Sequence, residues 1–141
     1  METSEQRSAR ILGNLKAAYP KAKSFDLDGR GEHFVCEVEP TQDHPAYDVA
    51  IEVIISSRPH KHQRSTQYYE VLSGTLTLHL DEQIVYLQAG QKFSIAPGIV
   101  HWGTSNDECC LKIRSEPGWT AEDHIPVELS QKYNRVTKSA E

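Results

Sequence analysis

Between Ser4 and Tyr19 the apolar residues Ile11, Leu12, Leu15 and Ala18 recur every three or four positions, and Pro20 ends the run. With 3.6 residues to a turn, this spacing lines them along one side of a helix. One short amphipathic helix is predicted, packed on the outside of a domain or against a partner subunit. Beyond it the period changes to short stretches rich in Val, Ile, Thr, Tyr and Phe: HFVCEVE, YDVAIEVII, QYYEVL, TLTLHL, IVYL, KFSIA and CCLKIR. Asp28-Gly29, Ser73-Gly74, Ala89-Gly90, Pro97-Gly98 and Pro117-Gly118 divide them. Short strands with regular turn residues predict a β-sandwich or barrel.

Finer features follow from the same alternation. In Thr75–Leu80 the leucines Leu76, Leu78 and Leu80 share one face, which should be the core. The Asp81-Glu82-Gln83 segment then reads as a hairpin connection. PTQDHP, between Glu39 and Tyr47, is a loop because Pro40 and Pro45 break any strand. From Thr120 the chain turns polar; Thr120 with Asp123 should cap a short helical turn, and the last ten residues should fray. The expected organisation is a helical lead-in over 1–22, a β-domain over 23–118 and a C-terminal extension over 119–141.

Composition changes this picture little. The chain has 141 residues and a net charge of −5, enough length for one cored domain without disulfides. Its Lys and Arg residues are scattered, which argues against nucleic acid or an anionic membrane as partner. METSEQRSAR is polar and no run of about 20 apolar residues occurs, so a soluble, cytoplasmic protein is expected. Cys36, Cys109 and Cys110 fit neither a disulfide framework nor a zinc ribbon, and read as reduced strand residues.

The chemistry concentrates in PHKHQRSTQYYEVLSG, from Pro59 to Gly74. Alternate side chains of an extended strand share a face, so His60 and His62 can hold a single metal ion. Gln67 follows five residues later, and His101 closes a second block, GQKFSIAPGIVHW. Neutral imidazoles with one amide oxygen suit a divalent ion such as Zn, Ni, Mn or Fe. Extending the parity adds Arg58 to the face of His60, as a contact for an anionic substrate. It adds Tyr69 to the face of Gln67, as a hydrogen-bond donor or proton carrier. His33, His44 and His124 read as surface or loop residues. Trp102 should point away from His101, and Trp119 should anchor the C-terminal segment.

These two blocks resemble the motifs of the cupin superfamily. In the first, His60, His62, Gln67 and Gly74 stand at the spacing of a His-x-His, an acidic ligand and a closing Gly; Gly90, Gly98 and His101 match the second. The sequence departs from that pattern in four respects. Gln67 stands where Glu is usual, Pro97 comes one place late with Ala96 at its expected position, Asn106 lies one residue late, and Ile54 occupies the place of a first-motif Gly.

The resemblance implies a single-domain jelly-roll β-barrel with a short N-terminal helix. It also implies a divalent metal on His60, His62, Gln67 and His101, a small-molecule substrate and a homodimer. An amide in place of a carboxylate leaves the ion its full positive charge, which favours Lewis-acid work of isomerase, cyclase or lyase type on an oxygen-rich metabolite. Two other readings remain, an Fe(II)-dependent dioxygenase and a non-catalytic module that binds a small molecule.

Overall fold

A computed structural model describes residues 1–129; the expectation of a frayed C-terminus lies outside them. The helix α1 spans Ser4–Ala18, as its periodicity predicts. Thr3 caps it, its side chain accepting from the Gln6 N–H while the Gln6 side chain accepts from the Thr3 N–H, so two otherwise unpaired donors are satisfied.

Ten strands follow: β1 (Lys23–Asp26), β2 (His33–Glu39), β3 (Asp48–Ser56), β4 (His60–Lys61), β5 (Thr66–Ser73), β6 (Thr75–Leu80), β7 (Ile84–Gln88), β8 (Lys92–Ile95), β9 (His101–Glu116) and β10 (Ile125–Pro126). All seven strands expected from alternation occur. The extended strand expected at His60 is the short β4, whereas β1 and β10 were not expected from the sequence, nor was the extension of CCLKIR back to His101. That extension matters, because β9 pairs antiparallel with β3, β4, β5 and β6 and joins the two sides of a curled jelly-roll sheet. The Asp81-Glu82-Gln83 segment connects β6 to β7, closed by Leu80 N–H to Gln83 O at 2.9 Å.

Two apolar clusters hold the domain together. One fills the barrel with residues that include Ile54, Val71, Leu76, Leu78, Leu80, Leu87, Ile95 and Leu111. The other lies between α1 and the outer face of β2 and β3, where Ile11 and Leu15 pack with Phe34, Cys36, Ile51 and Val53. Every second residue of those strands points outward to the helix, so the intervening ones point inward. Gly74, between β5 and β6, adopts φ +78°, and a Cβ there would overlap the carbonyl oxygen of Glu108. Close backbone approach as well as turn geometry therefore demands glycine at the end of the first motif. No described helix is long and apolar enough to cross a membrane.

Candidate metal centre

The inward faces of β2 and β3, together with β5 and the end of β9, line a pocket of about 520 Å³, a figure that includes its open mouth. His33, Val35 and Glu37 come from β2, and Asp48, Ala50 and Glu52 from β3. Tyr69 and Ile113 line the pocket and also belong to the barrel core, so the cavity is seated directly on packed side chains.

His60 of β4 pairs in register with His101 of β9. His62 follows two residues after His60. The three imidazoles can each present one nitrogen within 4.8 Å of the others. All are buried: His60 is 6% exposed, His62 3% and His101 1%. Backbone carbonyls orient two of the rings, with His60 Nδ1 2.7 Å from Arg58 O and His101 Nδ1 2.9 Å from Ile99 O. Those contacts assign the proton to Nδ1 and leave Nε2 as the donor atom for an ion.

Gln67 lines the same pocket, and its Nε2 donates to Ser115 Oγ at 3.1 Å. Ser115 in turn hydrogen-bonds the Asp48 carboxylate. A carboxylate can only accept, so the serine hydroxyl donates to Asp48 and its oxygen accepts from Gln67. This relay leaves the amide oxygen as the free end of Gln67.

Several buried atoms here have no hydrogen-bond partner: Nε2 of His101, Oε1 of Gln67 and one ring nitrogen of His62, whose ring otherwise meets the backbone of Asp123. Unpaired buried polar atoms cost free energy. A divalent ion would satisfy them together, and the donor set of neutral nitrogens and one amide oxygen fits such an ion. Burial is the first cause holding the histidines uncharged: it lowers His60 well below its ordinary range and brings His62 and His101 down to about 4. Metal ligation needs the neutral imidazole.

The remaining sequence-based candidates divide. Tyr69 lies in β5 two residues after Gln67, lines the pocket as parity predicts, and has its ring centroid 6.2 Å from that of His101. Burial raises its phenol above the ordinary range, so the hydroxyl keeps its proton. Arg58 is exposed and is not among the residues lining the pocket; what it gives the site is its backbone carbonyl. Parity fails there because β3 ends at Ser56 and β4 begins at His60, so residues 57–59 are not in a strand.

Three residues read as peripheral lie in the pocket. His33 is 5% exposed, and its Nε2 lies 2.5 Å from Glu52 Oε1. His124 stacks on His60 at 4.4 Å between ring centroids. Trp119 lines the pocket and donates from Nε1 to His124 Nδ1 at 3.3 Å. Trp119 also anchors the C-terminal segment as expected, its N–H reaching Asp48 Oδ1 and its carbonyl accepting from Thr41.

The segment carrying His124 is fixed through Asp123, whose carboxylate accepts the N–H groups of Gln63, Arg64 and Ser65 at 3.0–3.1 Å. Thr120 caps the short 3-10 turn Ala121–Asp123, as the sequence predicts. For His33, the available signal was its place at the head of an alternating strand whose other face is apolar. His124 gave no such signal, because a contact made by a loop has no period.

Elsewhere, Trp102 turns away from His101 and stacks on His79 at 4.8 Å between ring centroids. His44 stacks on Tyr47 in its loop.

Comparison with known proteins agrees with this architecture. The family model described as a cupin domain matches residues 50–111. No curated protein matches the sequence. Among solved structures, Pac13 from Streptomyces, described as a nucleoside dehydratase, superposes with a TM-score of 0.66 at 16% identity, covering 81% of this chain and 91% of that one. KdgF from Halomonas sp. gives 0.59 at 17% identity, with 67% and 87% covered. Ectoine synthase from P. lautus gives 0.57 at 10% identity, with 71% and 80% covered. At these identities the likeness is one of fold.

Proposed function

The chain carries a cupin domain, and from that premise we propose that it is a divalent-metal enzyme acting on a small, oxygen-rich metabolite by isomerase, cyclase or lyase chemistry. The observation that carries this reading is the convergence of His62, His101 and the amide oxygen of Gln67 as buried, unpartnered atoms beside His60. His60, His62, Gln67 and His101 would hold the ion. When bound, the ion supplies Lewis-acid polarisation of a substrate oxygen, undiminished by any negative ligand in this set.

The chain's own residues provide the rest. Tyr69, kept protonated by burial, donates a hydrogen bond into the pocket. The His33–Glu52 pair sits where a proton can be taken up or returned. Asp48, through Ser115, holds the Gln67 amide in a single orientation. That one fold neighbour is named a dehydratase and another a synthase supports a reading without oxygen activation.

The test is metal analysis of the purified chain after exposure to Zn, Ni, Co, Mn or Fe(II), beside His62→Ala. The expected result is about one ion per wild-type chain and at least a 100-fold weaker affinity in the variant with an unchanged circular dichroism spectrum. A wild type that takes up no ion overturns the proposal. So does a chain that holds Fe(II) and consumes dioxygen in step with a substrate.

A further inference from the structure

Among the described residues that line the pocket there are three carboxylates, Glu37, Asp48 and Glu52, and neither Lys nor Arg. His33 is bound to Glu52, so in either protonation state the pair contributes no net positive charge. Of the basic side chains nearby, Arg30 is engaged with Asp28 and Glu32, Arg114 with Glu116 and over the Tyr47 ring, and Lys23, which does not line the pocket, places its ammonium 5.5 Å from the centroid of the Phe25 ring.

The carboxylates come from β2 and β3, and the unpartnered donor atoms of His62, Gln67 and His101 from β5, β9 and the segment beside β4. The two sets make opposite demands. An anion drawn to a metal ion among the histidines would face the carboxylates at close range in a medium less screening than water. A cation drawn to the carboxylates would face the ion.

We propose that the pocket excludes anions and takes an uncharged, hydroxyl-rich molecule, oxygen lone pairs toward the histidine side and hydroxyl hydrogens toward Glu37 and Glu52. This rests on the metal reading for the first half of that orientation, while the exclusion of anions rests on the carboxylates alone. Phe25 and Trp119 give the same molecule apolar surface to pack its C–H groups against. A contact from Arg58 to an anionic substrate, suggested by strand parity, is replaced by the opposite preference.

Trp119 reports on the pocket directly, since it lines it and is only half-buried. In metal-free protein at low ionic strength, its fluorescence should be quenched by neutral acrylamide and by caesium, and about fivefold less by iodide. Glu52→Gln and, separately, Glu37→Gln should each raise the iodide quenching constant about twofold and leave that for acrylamide unchanged. Trp102→Phe removes the other tryptophan; should that variant fail to fold, the wild-type chain suffices because Trp102 is buried.

In Co(II)-loaded protein, followed by visible absorption, imidazole should bind more tightly than azide, and Glu52→Gln should tighten azide about tenfold. Iodide quenching equal to that of acrylamide, or azide affinity unchanged in Glu52→Gln, overturns the proposal. Failure to take up Co(II) overturns the metal reading instead, and the iodide experiment still decides the exclusion of anions.

Discussion

Strands β2 and β3 have two faces that differ in almost every respect although they share one backbone. Toward α1 they present Phe34, Cys36, Ile51 and Val53, sealed by Ile11 and Leu15. Toward the pocket they present His33, Glu37, Asp48 and Glu52. The period of two assigns neighbours in sequence to opposite tasks: the outer face supplies stability through buried apolar area, and the inner face gives up some of it to hold polar groups. Charges on the concave side are tolerable because the convex side, where solvent would normally lie, is covered by a helix.

The largest test of this contrast is acid. In the unfolded chain an imidazole takes up its proton near pH 6.5, whereas in the fold His62 and His101 do so only at about 4. Between these values the unfolded chain binds more protons. The histidines' contribution to the stability of metal-free protein is therefore complete above about pH 6.5 and is lost as pH falls toward 4. Asp48, whose carboxyl burial pushes up, works in the opposite sense at the acid end of that window. Urea midpoints in the presence of chelator should drop between pH 7.5 and 4.5 by the equivalent of roughly 5 kcal/mol. A flat profile would mean that the histidine side of the pocket is open to water.

The two faces can also be compared through adjacent residues. Phe34 is fully buried beneath α1, and Phe34→Ala should cost about 3–5 kcal/mol because it leaves a closed cavity. Val35 points the other way and lines the pocket; Val35→Ala should cost only about 1 kcal/mol, since the space it vacates joins an existing opening. Paired denaturant midpoints check this. Equal losses would show that the pocket side is packed as a core, which would remove the functional reading of that face.

Much of this was legible in the sequence, and what was missed has a common cause. Alternation places Leu76, Leu78 and Leu80 in the core and Tyr69 beside Gln67, and it does so correctly because each set lies within one unbroken strand. The same rule fails for Arg58 because Ser57, Arg58 and Pro59 form no strand. The triad of His60, His62 and His101 could be inferred from motif spacing; the register of β4 against β9 that joins it could not. His33 and Glu52 stand nineteen residues apart, and only the pairing of β2 with β3 brings them together. His124 and Trp119 arrive on an irregular segment, where neither period applies.

That segment supplies a third wall, held by polar contacts: the Trp119 backbone bonds to Asp48 and Thr41, the pairing of β10 with β4, and the Asp123 carboxylate. Burial alone would raise the Asp123 carboxyl, but the N–H groups of Arg64, Ser65 and Gln63 outweigh it and hold the group below its usual range. Three backbone donors converging on one carboxylate fix the loop between β4 and β5 to the turn that precedes His124. Asp123→Ala should therefore cost about 2 kcal/mol, less than Phe34→Ala because water can replace part of what is lost. The change should be local, with amide exchange at Gln63, Arg64 and Ser65 accelerating while β2 and β3 keep their protection. Trp119 emission should shift to the red as its partner His124 is released. If exchange at those three amides stays as slow as in the wild type, the carboxylate is not what holds the segment, and the position of His124 over His60 rests on the pairing of β10 with β4.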